Sequence, residues 1–338
     1  MKMKKLLCTA IAGVMALSLA ACGEPSTPAT DPAASGSPAA EPSAVAAQYV
    51  VGICQQMTHD ALDQATLGFK DALNEILGEG AVEYKDGNAG GEQANCTTII
   101  DGFVAEGVDL ILANATWPLQ AAASATADIP VLGTSVTDYA TALNIDDWTG
   151  TVGGNISGTS DLAPLDQQAE MIKELFPDAK NVGLLYCSGE PNSVYQIETI
   201  TGYLEDMGYT CTPYAFTDVN DLSSVTQTAC DSSDVIYIPT DNTAAANTET
   251  IANVVLAAGV PVVAGESGIC SGCGVATLSI SYYDIGYATG EMAAKILTGE
   301  ADISTMPIEY APNVTKMYNA ANCEALGITV PEGYEAIA

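Results

Sequence analysis

The run Tyr49-Val-Val-Gly-Ile-Cys54, leading through Gln55–Asp60 into the amphipathic stretch Ala61–Leu77, sets the pattern from which the fold is read. A short β-branched run followed by a longer segment with helical periodicity is a strand feeding a helix. The unit recurs as Val82–Tyr84 with Glu92–Glu106, Leu110–Ala113 with Leu119–Ala127, and then Val131–Leu132. After Asn155-Ile-Ser-Gly-Thr-Ser-Asp161 a second round begins with helix Leu162–Leu175. It continues as Val182–Tyr186 with Ser193–Met207, Thr210–Tyr214 with Asp221–Cys230, Val235–Ile238 with Ala244–Ala258, and Val262–Ala264. Parallel strands need helical crossovers and are buried on both faces, so this rhythm predicts an α/β protein with two Rossmann-like, parallel-sheet lobes. Thr277–Ile280, helix Ile285–Leu297 and Met306–Tyr310 would complete one lobe, and the closing residues return to the other.

Upstream of this pattern, Lys2, Lys4 and Lys5 precede the apolar stretch Leu6–Leu19, which has the length of a signal peptide and is too short to span a bilayer. Leu19-Ala-Ala-Cys22 closes it, and Gly23–Ala46 holds five prolines among Ala, Ser and Thr, the composition of a tether. No later segment offers eighteen uninterrupted apolar residues. Export is therefore expected, with a soluble, extracytoplasmic domain behind a linker.

Charge excludes several functions. Without the three signal lysines, six lysines face 42 Asp and Glu, a formal charge of −36, and the chain contains no arginine. Nucleic acid is ruled out as a partner by this balance. No guanidinium fork is available for a carboxylate or phosphate, so anionic ligand groups must be met by backbone N–H, hydroxyls or helix N-termini. His59 is the only histidine, which excludes a His-rich zinc site, and no Gly-x-Ser-x-Gly elbow follows a strand. No catalytic residue, metal or cofactor is therefore assigned. Eight cysteines remain after Cys8 and Cys22; Cys270-Ser-Gly-Cys273, bracketed by glycines, is expected to be a local loop disulfide or a pair of free thiols, with a redox dithiol less favoured.

Ligands of parallel sheets gather at the carboxyl ends of the strands. The loops there read Gln55–Asp60, Asn114–Trp117 and Gly133–Asp138 in the first half, and Ser188–Ser193, Pro239–Thr243 and Gly265–Ser267 in the second. Each alone is an N-cap; their recurrence on one edge of both lobes makes a cleft, with hydroxyls and amides for a carboxylate and Asp241 or Asp284 for an ammonium. Trp117, Tyr139, Tyr282 and Tyr283 are candidates for an aromatic wall.

From about Val50 to Pro331 the chain resembles the solute-binding lipoproteins of ABC importers, in the group with tryptophan- and tyrosine-binding members. The matching stretches include Val51–Gln55 with His59, Gly68–Leu73, Asn155–Asp161, Leu185–Ser188 followed by Glu190 and Asn192-Ser193, Ile238–Thr243, Asp284–Gly286 and Leu326–Pro331. The Leu19–Cys22 motif is similar to the bacterial lipobox, which implies acylation at Cys22. The resemblance implies the type I periplasmic-binding-protein fold, with lobes joined by several crossovers. Residues 1–21 would be signal, 22–47 lipidated tether, 48–157 plus 280–311 the N-terminal lobe and 158–279 plus 312–338 the C-terminal lobe. It also implies a monomer that captures an amino acid, most simply an aromatic one, and hands it to a permease and its ATPase. In the pose it implies, Thr116, Ser135, Ser188 and Ser193 bond the carboxylate, Asp241 the amine, and His59 with the aromatics the side chain. Gln55, Thr137, Asn192, Asn242, Glu266 and Asp284 complete the expected site. His59-Asp60 stands where relatives carry His-Pro, and Trp117 precedes Pro118, so the solute can differ from tryptophan. A branched-chain amino acid, a nucleoside, or a surface sensor or adhesin role on the same fold are the alternatives.

Overall fold

The computed structural model describes residues 47–337. The expected signal peptide, Cys22 and all but the last residue of the tether therefore lie outside the described residues. The chain runs β1 (Tyr49–Gln55), α1 (Asp60–Leu77), β2 (Val82–Asn88), α2 (Gln93–Glu106), β3 (Leu110–Asn114), α3 (Thr116–Ala125), β4 (Val131–Val136), α4 (Tyr139–Leu143) and β5 (Ile156–Ser160). It continues with α5 (Leu165–Leu175), β6 (Asn181–Cys187), α6 (Pro191–Asp206), β7 (Thr210–Phe216), α7 (Val219–Cys230), β8 (Val235–Ile238), α8 (Asn242–Ala245), α9 (Thr248–Ala258), β9 (Val262–Ala264), α10 (Ser267–Cys273) and β10 (Ala276–Ser279). Last come α11 (Tyr282–Leu297), β11 (Glu309–Tyr310), β12 (Thr315–Tyr318), α12 (Ala320–Leu326) and β13 (Glu335–Ala336).

Two sheets result, ordered β11-β5-β4-β3-β1-β2 and β13-β12-β10-β9-β8-β6-β7. Every pairing is parallel except β10 with β12. In the first sheet alternate residues feed opposite cores. Val51, Ile53, Leu110, Leu112 and Leu132 pack on one face, and Cys54, Ile111, Ala113 and Val131 on the other. The second sheet divides in the same way, with Val182, Leu184 and Tyr237 opposite Leu185, Ile236 and Ile238. This period of two, apolar on both faces, is why the strands read as continuous apolar runs.

The chain passes between sheets three times, after Ser160, Ser279 and Tyr310. The break expected at 157/158 falls inside β5, all of which pairs in the first sheet. Its sequence Ile-Ser-Gly-Thr-Ser looks like a loop. In the fold it is fully buried and held by hydroxyls: Thr159 Oγ1 lies 3.1 Å from Thr134 Oγ1 and 2.8 Å from Thr289 Oγ1, and Ser160 donates to the Thr137 carbonyl. Helix α11 returns to the first lobe and packs on α1 at very short range. A Cβ on Gly286 would sit 2.0 Å from the Ala65 carbonyl oxygen, and one on Gly68 2.1 Å from that of Tyr283. Only glycine permits this approach of backbones.

Three other expectations change. The segment Ala244–Ala258 is two helices, with a break at Ala246-Asn247. Residues 267–273 form a short helix instead of a loop: the Glu266 carboxylate accepts the N–H groups of Gly268 and Ile269, and burial of Ile269, Cys270 and Cys273 outweighs the glycines. All eight described cysteines are free thiols, and Cys270 and Cys273 lie in the core. Tyr139 belongs to the interior of the first lobe, its hydroxyl donating to the Thr159 carbonyl over the space left by Gly133 and Gly158. Among the described residues, no helix is long and apolar enough to cross a membrane.

Candidate functional site

A small cavity lies between the sheets at the carboxyl ends of their strands, lined from the first lobe and its crossovers by His59, Leu62, Ser135, Asp161 and Tyr282. From the second lobe come Asn192, Thr240, Asp241, Asn242, Ala245 and Glu266.

Local conformation aims several groups inward. The pairing of β4 with β5 slips between Gly133 and Val136, and Ser135 takes φ 54°, an unusual value for a residue with a side chain. The bulge leaves Ser135 Oγ buried without a hydrogen-bond partner. Asp161 follows β5; its Oδ2 accepts from Tyr282 Oη at 2.8 Å, while Oδ1 is buried and unpartnered. Asn192 spends its Nδ2 on Glu190, Ser193 and the Thr240 carbonyl, which leaves Oδ1 unpartnered as well. Buried polar atoms of native proteins are nearly always bonded, so three unpaired ones in a single cavity mark where a ligand's polar group goes.

The electrostatics are one-sided. Asp161, Asp241 and Glu266 line the cavity, the Glu190 carboxylate lies directly behind Asn192 and Asn242, and no lysine is among the lining residues. Burial pushes the Asp161 carboxyl up, against the hydrogen bond from Tyr282. Burial and then the charge of Glu190 push Asp241 up. Glu266 is pushed up to about 7, by burial first, against the N–H groups of Gly268 and Ile269. His59 is held below its ordinary value by burial, which outweighs its bond to Asn242 and the acids around it. Carboxyls gathered without a cation are satisfied by a ligand that brings one.

The expected site residues divide into two sets. His59, Ser135, Asn192, Asp241, Asn242 and Glu266 do line the cavity. Thr137 and Ser193 are buried beside it, with Thr137 Oγ1 at 3.5 Å from Thr240 Oγ1 of the other lobe, and Thr116 is buried at the start of α3. Gln55 is taken up within the first lobe by Met57, Asp63 and Thr66. Trp117 lines a separate groove at the mouth of the cleft, with Met57, Gly189 and Thr243. Ser188 and Asp284 are exposed and lie away from the cavity; Ser188 bonds the Phe216 carbonyl, and the Asp284 N–H is capped by Ser281. Of the four aromatics expected to form a wall, only Tyr282 reaches the cavity. Both oxygens of Asp241 already hold a backbone N–H: Oδ1 accepts from Ala244 and Oδ2 from Cys187.

Tyr282 belongs to the expected aromatic wall, whereas Asp161 and Glu190 are not among the expected ligand contacts. Glu190 is fully buried and accepts from the backbone and side chains of both Asn242 and Thr243. The one legible signal is an acid that follows the hydroxyl-rich run Ser157–Ser160.

A polar cavity closed between two parallel-sheet lobes that share three crossovers defines a two-lobed receptor for a small solute. The description "ABC transporter substrate binding protein" matches residues 50–338, and the chain belongs to that family. It is 30% identical over 334 residues to the tyrosine-binding protein of Clostridioides difficile strain R20291, covering 96% of this chain and 93% of that one. Among solved structures it is similar to the domain from Streptococcus pneumonia in complex with L-Trp, at 32% identity and TM-score 0.81, covering 86% of this chain and 100% of that one. A ligand-free, open substrate-binding protein with adhesive properties from Clostridium difficile is also 32% identical, over 86% of this chain and 99% of that one, but with TM-score 0.66. At equal identity the chain superposes better on the L-Trp complex than on the open structure. The family and these relatives are described by the solutes they bind.

Proposed function

We propose that this protein is an extracytoplasmic receptor for a zwitterionic amino acid, most simply an aromatic one, and that it is anchored by lipid at Cys22 and serves an ABC permease and its ATPase. The observation that carries the ligand class is the set Ser135 Oγ, Asp161 Oδ1 and Asn192 Oδ1, unpaired and facing one arginine- and lysine-free cavity. An ammonium has three N–H donors and a charge that buried acids lack. In this reading Asp161 takes the amine, a role that sequence position alone suggests for Asp241. His59, Asn242 and Glu266 shape the rest of the cavity, and neutral donors meet the carboxylate. The aromatic preference rests on the tyrosine-binding and L-Trp-bound relatives.

Isothermal calorimetry on residues 47–338 with L-Trp, L-Tyr, L-Leu and a nucleoside tests this. Saturable heat with an aromatic amino acid, lost for the des-amino analogue, is expected. Binding that is indifferent to the amine removes the reading. Labelling of cells with an alkyne-bearing palmitate analogue, with Cys22→Ser as control, tests the anchor.

A further inference from the structure

The only histidine of the chain sits where the two lobes meet, and its hydrogen bond has a readable direction. His59 caps the start of α1 in the first lobe, and Nε2 lies 3.1 Å from Asn242 Oδ1, in the second lobe. The amide orientation of Asn242 is fixed from behind: Nδ2 is 2.7 Å from Glu190 Oε2, and the Asn242 N–H reaches the same oxygen at 3.1 Å. Turned over, the amide would set its oxygen against a carboxylate. Glu190 is itself held by Thr243, whose N–H and hydroxyl occupy the other oxygen at 2.9 and 2.7 Å. Asn242 Oδ1 can only accept, so His59 must carry its proton on Nε2.

We infer that His59, protonated on Nε2, is the positioning residue that latches the lobes shut by donating to Asn242 Oδ1, with Glu190 holding the acceptor in place. The latch belongs to the cleft whose ligand is proposed above, yet it is made by protein atoms alone. Opening the lobes breaks this bond across 183 residues of chain, while the Asn242–Glu190 contacts remain, because both partners belong to the second lobe. Among the described residues, the other side-chain hydrogen bond across the cavity, Thr137 to Thr240, is long at 3.5 Å. The His59–Asn242 pair is therefore the stronger of the two.

Two measurements on ligand-free protein test the latch. Because the chain has one histidine, ¹⁵N-histidine NMR reads a single ring; a protonated Nε2 with a slowly exchanging proton is expected, and a neutral ring protonated on Nδ1 overturns the inference. Fluorotryptophan incorporation in a Trp148→Phe background places a single ¹⁹F reporter at Trp117, in the groove lined by both lobes. His59→Phe keeps the ring shape without the donor and should lower the closed-to-open ratio about three- to tenfold, the worth of one net hydrogen bond. His59→Gln restores an N–H at the same reach and should return the ratio to within about twofold of wild type, on the same reasoning. An unchanged ratio in His59→Phe, or a His59→Gln protein as open as His59→Phe, refutes the latch. Thermal melts of both variants confirm that each is folded. Failure of aromatic amino acids to bind would remove the proposed ligand and leave these readouts unaffected.

Discussion

Replacing Asp161 by Asn separates ligand recognition from stability, because the two effects have opposite signs. The side chain keeps its shape and an oxygen for Tyr282 Oη, which lies 2.8 Å from Oδ2, but it loses the charge that would face the ligand's amine. A hydrogen bond to a charged group contributes about 1.5–3 kcal/mol, so affinity for the amino acid should fall about 10- to 150-fold. Stability of the empty protein goes the other way. Burial raises the Asp161 carboxyl, so the folded state binds its proton more tightly than the unfolded chain does. A group of this kind favours folding only below its unfolded value, and that contribution is lost as pH rises through the folded one. At pH 7.5 the Asn variant should therefore melt at or above the wild-type temperature while binding its ligand more weakly. Calorimetry with L-Trp and L-Tyr, paired with melts of the empty protein, measures both. Affinity within about threefold of wild type, well under the loss of one charged hydrogen bond, would refute the role given to Asp161. So would a destabilised empty protein, since it would mean that the carboxylate is paired with the protein's own donors.

The same linkage applies to Glu266, pushed up to about 7, and to Asp241: binding of a cationic group should expel protons, and affinity should rise from pH 5 to 8. Calorimetry in buffers of different ionisation heat reads the protons directly, and affinity falling over that range would contradict the site's charge balance. Gly286→Ala should lower stability by about 1–3 kcal/mol or more, because its Cβ would meet the Ala65 carbonyl oxygen at 2.0 Å; the urea midpoint measures this. Glu190→Ala should be strongly destabilising, leaving the buried N–H groups of Asn242 and Thr243 without acceptors, and Glu190→Gln less so; a wild-type melt for Glu190→Ala would remove its structural role. Native protein should expose at most one thiol to Ellman's reagent. That thiol is Cys211, half-buried and pushed up to about 11 by burial first and then by Glu205; rapid reaction of Cys270 and Cys273 would reopen a redox role.

Most of the architecture is legible in the chain, because a strand buried on both faces and a helix buried on one leave different periods in the sequence. The exceptions have specific causes. β5 escapes because its buried positions are filled by Ser, Gly and Thr, which satisfy one another through hydroxyls in place of packing hydrocarbon. α10 escapes because glycines at 268 and 272 contradict helix propensity, and only the Glu266 cap and the surrounding core settle the conflict. In the site, the sequence points to the right edge of both sheets and to six of the residues that line the cavity.

Which acid is left free could not be read there. Asp241 follows a strand and opens a helix, the local setting expected of a ligand-binding acid, yet Cys187, 54 residues away, supplies the N–H that occupies its second oxygen. Asp161 sits in a similar setting, and no donor arrives from elsewhere to take Oδ1. Periodicity, composition and the lack of arginine are properties of the chain itself, so the sequence determines two parallel-sheet lobes and an acid-rich cleft. The pairing of each polar atom depends on which distant segments folding brings beside it, and only the tertiary structure decides that Asp161 faces the solute while His59 reaches across to Asn242.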